Sequence, residues 1–490
     1  MKRPETLGDL KSSGYRSTSV RDEMRRNLIA RLRSGKTLFP GIVGYERTVI
    51  PQIQNAILAK HNFLLLGLRG QAKSRIIRGL RTFLDDVIPA IAGCPIRDDP
   101  LQPHCRGCRN KLGEKGDSTS IEWIPGEARY REKMATPDVT VADLIGDVDP
   151  IKAATERRAL SDELVIHYGI IPRTNRGIFA INELPDLPTR IQVALLNILE
   201  ERDVQIRGFP VRIPLDILMV FTANPEDYTN RGNIITPLKD RIDSQILTHY
   251  PLSMDHARAI TEQEAWQDRD PDISIVIPDY LKEVIEEIAI QARQSDYVDQ
   301  NSGVSARLSI SALENLQSAV ETRAYLADEK KVVARLCDLS HAIPAISGKV
   351  ELVFEGEQEG LQKVSRHLLG KAIKATFDQY LPDAYKLESK EEADFSCYRN
   401  AIRWFAEGGK IEVSDTQTVR QYFKALDKVP DLKKISVQYL KTKGEAETAT
   451  GMEFILEGLH QSSIVAKQDL ETGAVYKDFL GTMFSGMESD

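Results

Sequence analysis

The amino-acid sequence predicts an α/β fold in which a mostly parallel sheet is covered on both faces by helices, followed by a mainly helical second half. From Gly41 onward, short apolar runs alternate with helical stretches, as in sheets whose parallel strands are joined by crossover helices. After Pro251 the strand pattern fades and helical periodicity dominates. The predicted strands are residues 63–66, 121–124, 177–181, 215–222 and 245–248.

The 490 residues exceed what one ordinary core accommodates, so we expect several domains. The predicted segments are an N-terminal arm (1–36), an α/β domain (37–252) with a cysteine-containing insertion near 94–108, a helical lid (253–346) and a mainly helical C-terminal region (347–490). Within the arm, Ser19 is placed to cap a helix that runs through Arg33 and stops at Gly35.

The composition excludes several classes of protein. Hydrophobic residues make up 41% and charged residues 28% of the chain, which is typical of a globular protein. The formal net charge of −7 provides no general attraction to nucleic acid or anionic membranes, so no nucleic-acid partner is expected. No apolar run approaches the roughly 20 residues that cross a bilayer, and the N-terminus lacks the apolar stretch of a signal peptide. We therefore expect a cytoplasmic protein without membrane insertion.

A phosphate-binding loop is predicted directly after the first strand. The pattern GxxxxGK[ST] surrounds phosphates with backbone N–H groups, neutralises them with a lysine and binds Mg²⁺ through a hydroxyl. Gly67, Lys73 and Ser74 match this pattern, whereas Ala72 replaces its second glycine. Alanine fits there if its φ is negative, and nucleotide binding is then expected to survive. The alternative is an ordinary turn with a surface lysine, which the downstream motifs disfavour.

Polar residues at the ends of two later strands complete the predicted site. Asn182 and Glu183 end one strand; the amide can orient a Mg²⁺-bound water without the charge of the usual carboxylate, and the carboxylate can polarise the attacking water. Asn224 ends the next strand and is placed to orient that water, unless it only forms a turn before Pro225. The predicted nucleotide-binding residues are Gly67, Leu68, Arg69, Gly70, Gln71, Ala72, Lys73, Ser74 and Asn182, and Ser74 and Asn182 are the expected Mg²⁺ positions.

Two arginines are candidates for contacts with the nucleotide's terminal phosphate. Arg241, in TPLKDRI, is placed to act on a neighbouring subunit's site, where a positive charge stabilises phosphoryl transfer. A surface salt bridge is the alternative for this residue. Arg307 stands at the predicted start of a lid helix, from which it can reach the phosphate.

The ordered set of motifs resembles the AAA+ ATPases of the magnesium chelatase I-subunit and MoxR-like group. The resembling segments cover roughly residues 41–345 and are GIVGYE, GLRGQAKS, NRGIFAINEL, LLNILEERDVQIRG, FTANPE, LKDRI and SARLSISAL. No single segment is decisive, but their order is specific to AAA+ proteins. The departures at Ala72 and Asn182 affect the hydrolysis motif.

The resemblance implies a P-loop NTPase sheet of order 5-1-4-3-2, a helical lid and a hexameric ring that holds ATP and Mg²⁺ between subunits. It also implies a β-hairpin at residues 201–214 facing the ring and an insertion preceded by residues 135–153. The resemblance also implies a partner protein, and an integrin-like (VWA) domain is the candidate for it, because this chain contains no DxSxS motif of such a domain.

A cysteine cluster lies between the first helix and the second predicted strand of the α/β domain. Cys105 and Cys108 form a CxxC pair, which supplies half of a tetrahedral Zn²⁺ site, and Cys94 is a reasonable third ligand. His104 is awkward beside Cys105, so the fourth ligand is left open among water, a carboxylate and a partner residue. Free thiols remain an equal alternative, and an iron–sulfur cluster is less favoured.

The leading hypothesis is an ATP-hydrolysing ring that remodels a partner protein, with Glu183, Asn224, Arg241 and Arg307 as the catalytic residues. Because Ala72 and Asn182 depart from the motifs, the rival is a nucleotide-gated scaffold with little hydrolysis. A literal metal chelatase is supported only in its motor portion. Activation of transcription through sigma-54 is disfavoured, because the chain contains no GAFTGA sequence.

Overall fold

The computed structural model describes residues 3–160, 162–206, 212–225, 233–384, 396–470 and 473–478. The chain divides into two compact units, Met1–Tyr250 and Pro251–Asp490. The strands are β1 (Phe63–Leu66), β2 (Val87–Ile91), β3 (Ile121–Pro125), β4 (Tyr130–Met134), β5 (Gly146–Val148), β6 (Ile166–Tyr168), β7 (Gly177–Asn182), β8 (Asp203–Gln205), β9 (Arg212–Pro214), β10 (Ile217–Ala223), β11 (Ser244–Leu247), β12 (Ser274–Val276), β13 (Lys331–Val333), β14 (Ile411–Ser414), β15 (Val465–Leu470) and β16 (Gly473–Asp478).

The helices of the first unit are α1 (Leu7–Ser12), α2 (Val20–Arg33), α3 (Val49–Leu58), α4 (Lys73–Gly79), α5 (Arg106–Lys115), α6 (Val141–Leu144), α7 (Pro150–Glu156), α8 (Thr189–Glu200) and α9 (Thr236–Asp240). Those of the second unit are α10 (Met254–Glu264), α11 (Asp279–Gln294), α12 (Arg307–Ala327), α13 (Ile343–Ser347), α14 (Phe354–Glu359), α15 (Leu361–Tyr380), α16 (Ser396–Ala406), α17 (Val419–Leu426), α18 (Leu432–Leu440) and α19 (Gly444–Gln461).

The first unit is built on a five-stranded parallel sheet in the order β11-β1-β10-β7-β4. Numbering these five strands along the chain gives the order 5-1-4-3-2, so the predicted P-loop fold is confirmed. The central strands are apolar and buried, as strands covered on both faces must be. Their carboxyl ends meet at one edge of the sheet, where ligands bind in folds of this kind.

The prediction that residues 121–124 form a strand of this sheet is wrong. They lie in β3, which pairs antiparallel with β2 in a separate two-stranded sheet. The edge strand of the main sheet on this side is instead β4, which pairs with β7 alone. Its sequence, YREKM, is mostly polar because an edge strand is partly exposed, and it therefore lacks the apolar signal of a buried strand.

The helix of the predicted N-terminal arm (1–36) packs against the rest of the first unit. Its helix α2 begins after Ser19, whose side chain accepts a hydrogen bond from the backbone N–H of Asp22, and ends at Arg33 as predicted. However, Val20, Met24 and Leu28 are at most 1% exposed. They pack in the same core as α3 and the sheet strands β1 and β10, so this amphipathic face is part of the first unit.

A buried ion pair joins α2 to the sheet. Both nitrogens of the Arg129 guanidinium fork donate to the Glu23 carboxylate, at 2.7 and 2.6 Å, and the two side chains are only 1% and 3% exposed. Arg129 also donates through Nε to the backbone carbonyl of Arg176, which directly precedes β7. This buried ion pair therefore connects α2 with the segments that precede β4 and β7.

The second unit is mainly helical, with α11 packed against α15 and α18 against α19. It also contains a three-stranded antiparallel sheet, β14-β16-β15, and a parallel pair, β12-β13, which the sequence patterns did not predict. One apolar core takes residues from both sides of position 346. The proposed boundary between a lid (253–346) and a C-terminal region (347–490) therefore stays a prediction. Among the described residues, no helix is long and apolar enough to cross a membrane.

We predict that Glu23→Gln destabilises the protein by about 3–5 kcal/mol, because it leaves the buried Arg129 charge without its counterion. The free energy of unfolding in urea measures the effect. Asp117→Asn is the matched control: its pair with Lys11 is exposed, so the expected loss is about 0–1 kcal/mol. Equal losses in the two variants would contradict the structural role assigned to the Glu23–Arg129 pair.

Candidate functional site

The predicted phosphate loop connects β1 to α4 at the carboxyl edge of the sheet. Gly67 begins the loop beneath a hydrogen bond of 2.6 Å from the Thr248 hydroxyl to Gln71 Oε1. A Cβ atom on Gly67 would lie 2.0 Å from that hydroxyl oxygen and 2.2 Å from that amide oxygen. Glycine is required here because any side chain would force this pair apart. Gly70 has a φ of 76°, which glycine adopts freely.

Tyr45 holds the loop from beneath. Its hydroxyl donates to the carbonyl of His249 at 2.6 Å and also lies 3.1 Å from the carbonyl of Gln71. Its ring contacts the His249 ring edge-on. Burial raises the pKa of Tyr45 to about 12, so the hydroxyl remains a donor at neutral pH. The GIVGYE segment was recognised as part of the motif set, but the pattern did not reveal this supporting contact.

Lys73 and Asn224 were predicted from separate motifs, and the structure brings them together. The ammonium group of Lys73 donates to Asn224 Oδ1 at 2.7 Å. It also donates to the backbone carbonyls of Gly67 and Leu68. The amide oxygen of Asn224 thus faces the lysine, and the residue itself is buried. The Lys73 ammonium group therefore connects the residues that follow β1 with the residue that follows β10.

Ala72 does not adopt the conformation expected of it. Its φ is +55°, in the left-handed region, whereas the sequence analysis made alanine acceptable on condition of a negative φ. The expectation was wrong because the chain must turn sharply here to begin α4 at Lys73. A Cβ atom in this region costs roughly 1–2 kcal/mol. Ala72 therefore strains the loop that glycine would form freely.

The second pair of residues lies at the end of β7. Asn182 is buried, and its Oδ1 accepts a hydrogen bond of 3.3 Å from the Thr222 hydroxyl on β10. The same hydroxyl oxygen accepts from the backbone N–H of Glu183 at 3.0 Å. Glu183 is half-buried and has a φ of +57°. Thr222, which the sequence analysis missed, thus fixes both residues; its only signal was a polar side chain in the apolar strand ILMVFTA.

The predicted residues of the phosphate loop differ in exposure. Arg69, Gly70, Ala72 and Ser74 are exposed on the outer side of the loop, and Leu68 is half-buried.

The two predicted arginines differ in their contacts. Arg241 donates through Nε to the Glu200 carboxylate at 2.7 Å, and this contact raises the pKa of Arg241. The surface salt bridge, the alternative weighed for Arg241, is thus present within the chain. Arg307 is exposed and is the first residue of α12, the helix start that was predicted, in the second unit.

The segments implied by the family resemblance take definite structures. Residues 201–214 contain the antiparallel pair β8 and β9, as a hairpin requires. The centre of this hairpin, residues 207–211, lies outside the described residues. Residues 135–153 contain α6, β5 and the start of α7.

The three predicted cysteines meet in the insertion between β2 and β3. Their sulfur atoms and a carboxylate oxygen of Asp98 all lie within 4.8 Å of one another, and the four residues are buried. His104 contributes its backbone N–H to Asp98, so it is not part of this ligand group. Burial, followed by the adjacent Cys94 sulfur, raises the pKa of Asp98. The carboxylate was missed because it belongs to no cysteine-spacing pattern.

Comparisons with known proteins agree with this geometry. Residues 156–245 match the family model described as the Sigma-54 interaction domain. Over 99 residues the chain is 31% identical to the Sigma54-dependent transcriptional activator SfnR of Pseudomonas putida, a match that spans 20% of this chain and 27% of that protein. The similarity thus covers about a quarter of the curated relative.

Two solved structures are similar at low sequence identity. The complex of subunits BchI and BchD of magnesium chelatase is 19% identical, with a TM-score of 0.33 and coverage of 66% of this chain and 98% of that chain. NtrX from Brucella abortus is 12% identical, with a TM-score of 0.31 and coverage of 60% of this chain and 54% of that chain.

The phosphate loop at the end of β1 and the 5-1-4-3-2 sheet define a P-loop nucleotide-binding protein. The sheet order and the position of the loop are those of the AAA+ P-loop fold, and the matched residues 156–245 include β7, β10 and α9.

We predict that Ala72→Gly stabilises the protein by about 0–1.5 kcal/mol, because glycine removes roughly 1–2 kcal/mol of strain at the positive φ and costs roughly 0.5–1 kcal/mol in chain entropy. Urea unfolding measures this change, and calorimetric titration with ATP tests whether affinity rises with it. Ala59→Gly is the control, since Ala59 is exposed with a φ of −79°. The control is expected to lose about 0.5–1 kcal/mol. A loss of stability in Ala72→Gly would show that the left-handed conformation is not strained.

Proposed function

We propose that the chain binds ATP with Mg²⁺ in the loop Gly67–Ser74, hydrolyses it, and assembles as a ring that remodels a partner protein. The observation that carries this proposal is the convergence of Lys73, Asn224, Asn182 and Glu183 on the carboxyl ends of β1, β10 and β7. The cradle at Gly67, which any side chain would obstruct, fits a ligand that approaches the backbone closely.

ATP supplies the phosphoryl group, and Mg²⁺ neutralises its charge. The Lys73 ammonium donates to three neutral oxygens and is suited to exchange them for phosphate oxygens. Glu183 is the base that orients and polarises water, and Thr222 holds its backbone in place. Asn182 and Ser74 would hold Mg²⁺, the former through its amide oxygen.

Arg241 is proposed to act on the site of a neighbouring subunit in the ring, and Arg307 to sense the terminal phosphate. For Arg241 this requires that the exposed pair with Glu200 breaks on assembly. Such a rearrangement is inexpensive, because exposed pairs contribute only about 0–1 kcal/mol.

The decisive experiment is ATP binding and turnover by the purified protein. We predict that Lys73→Ala weakens ATP binding roughly tenfold or more, because hydrogen bonds to charged groups contribute about 1.5–3 kcal/mol. Glu183→Gln should retain binding and lower kcat roughly 10²–10⁴-fold through loss of the base. Lys11→Ala, at an exposed position distant in sequence from the loop, is the control and should match wild type. Turnover that persists unchanged in both site variants would refute the assignment.

A nucleotide-gated scaffold with little hydrolysis is the second candidate, and the strained Ala72 and the neutral Asn182 favour it. The two candidates differ at Asn182. A carboxylate there would accept from Thr222 as the amide does, and would add a negative charge for Mg²⁺.

We predict that Asn182→Asp shifts the Mg²⁺ midpoint of ATP turnover roughly tenfold lower, because a charged acceptor is worth about 1.5–3 kcal/mol against about 0.5–1.5 for a neutral one. Titration of turnover with Mg²⁺ measures the shift. Asn55→Asp, at an exposed position of α3, adds the same charge outside the predicted nucleotide-binding residues and serves as the control. Measurable wild-type turnover supports the motor; tight ATP binding without turnover, with Asn182→Asp gaining activity, supports the scaffold.

Ring size and partner are part of the proposal and have their own test. A hexameric ring with a VWA-containing partner follows the group that the motifs resemble, whereas the Sigma-54 interaction match makes sigma-54 an alternative partner. Affinity capture with ATP, followed by native mass spectrometry, reports stoichiometry and partner together. Recovery of a sigma factor would replace the first alternative with the second.

A further inference from the structure

We propose that Cys94, Asp98, Cys105 and Cys108 together bind one zinc ion, with Asp98 as the fourth ligand. This site is independent of the nucleotide chemistry. One carboxylate oxygen and three sulfurs, all within 4.8 Å of one another and all on buried residues, form the group. Thiolates and carboxylates are both established zinc ligands, and four protein ligands make a closed, structural site.

The spacing of the sulfur atoms fits a single ion. With zinc–sulfur bonds of about 2.3 Å, tetrahedral geometry places two sulfurs about 3.8 Å apart. Cys94 Sγ and Cys105 Sγ are separated by 3.9 Å. A disulfide would require about 2.05 Å. In a [4Fe–4S] cluster each cysteine binds a different iron, so the cysteine sulfurs stand farther apart than the ligands of one ion.

Asp98 supplies an independent indication of a ligand. Its Oδ2 accepts hydrogen bonds from the backbone N–H groups of His104 and Cys105, at 3.0 and 2.8 Å. Its Oδ1 is fully buried and has no hydrogen-bond partner in the part of the chain that the structure describes. Buried polar atoms in native proteins nearly always have a partner, and a bound ion is one of the standard explanations for an exception. A cation among the three sulfurs would provide that partner.

The backbone already orients the sulfurs. Cys105 caps the amino end of α5, and its sulfur accepts from the N–H of Cys108 at 3.3 Å. The Cys94 sulfur accepts from the N–H of Asp98, also at 3.3 Å. Hydrogen bonds of this kind fix metal ligands and stabilise their charge. The four ligands are therefore arranged before any ion arrives.

The ion would also secure the approach to β7. Asn175 donates to the carbonyl of Ile96, between two of the ligands, at 3.1 Å. Arg176 forms a buried ion pair of 3.1 Å with Asp99, beside the fourth ligand. Asn175 and Arg176 directly precede β7, which ends at Asn182. The insertion is thus attached to a strand of the nucleotide site, although its four ligands leave no open position for chemistry.

The test measures the metal itself. The 490-residue protein, purified under reducing conditions, is expected to contain one zinc ion per chain, as measured by inductively coupled plasma mass spectrometry. Cobalt substitution should produce the intense thiolate-to-metal absorption of a three-sulfur site. Asp98→Ala and Cys108→Ser should each weaken zinc binding tenfold or more in competition with a chromophoric chelator. Asp117→Asn and Cys397→Ser, which remove the same groups elsewhere, should retain wild-type affinity.

The outcomes separate this proposal from its rivals. Iron with acid-labile sulfide would identify a cluster, and a disulfide among these cysteines in intact-mass measurements would identify a redox pair; either result overturns the zinc assignment, as does metal-free protein that takes up no zinc. Full zinc affinity in Asp98→Ala would remove Asp98 from the ligand set. If a variant fails to fold, chelator treatment of the wild-type protein answers the question, because loss of zinc should lower its melting temperature and zinc alone should restore it.

Discussion

The contact of the Lys73 ammonium with Asn224 is possible only because β1 and β10 are adjacent, parallel and in a fixed register. Leu66 pairs with Ala223, and the N–H of Gly67 continues the ladder by donating to the carbonyl of Ala223. The first loop residue and Asn224 therefore leave the sheet at the same level. A shift of one residue would reverse which side chains face each side of the sheet. The nucleotide site thus depends on strand register before it depends on any catalytic group.

The amino ends of the strands, opposite the phosphate loop, are held by buried charged groups. Asp216, which precedes β10, accepts from the backbone N–H of Val20, and its own carbonyl accepts from the N–H of Arg176. Burial raises the pKa of the Asp216 carboxyl, so the surrounding positive charges matter for its ionised form. Together with the Glu23–Arg129 pair, these contacts join α2 and the insertion to the amino ends of the strands. These buried charged contacts thus lie at the amino ends of the strands, whereas the phosphate loop lies at the carboxyl ends.

The sequence predicted what local patterns encode. Buried parallel strands have apolar runs, and a phosphate loop has a fixed spacing, so the sheet order and the positions of Lys73 and Asn224 followed from the chain itself and its resemblance to a family. Strand β4 was missed because it is a polar, exposed edge strand and has no apolar signal. The antiparallel pairing of β2 with β3 was missed because tertiary contacts, which local patterns do not encode, set the pairing of strands. Thr222 and Asp98 act through residues distant in sequence, which no spacing rule connects.

The departures at Ala72 and Asn182 affect different quantities. Strain at Ala72 acts on the loop, and about 1–2 kcal/mol corresponds to roughly a 5- to 30-fold change in an equilibrium constant. The strain lowers the stability of the folded loop, and it would change the affinity for ATP only if Ala72 changed its conformation on binding. Asn182 instead removes a charge where Mg²⁺ is expected, while its contact with Thr222 keeps the amide oxygen in position. Ala72 therefore bears on the stability of the loop, whereas the coupling of Mg²⁺ to turnover is the property through which the proposed motor and the proposed scaffold would differ.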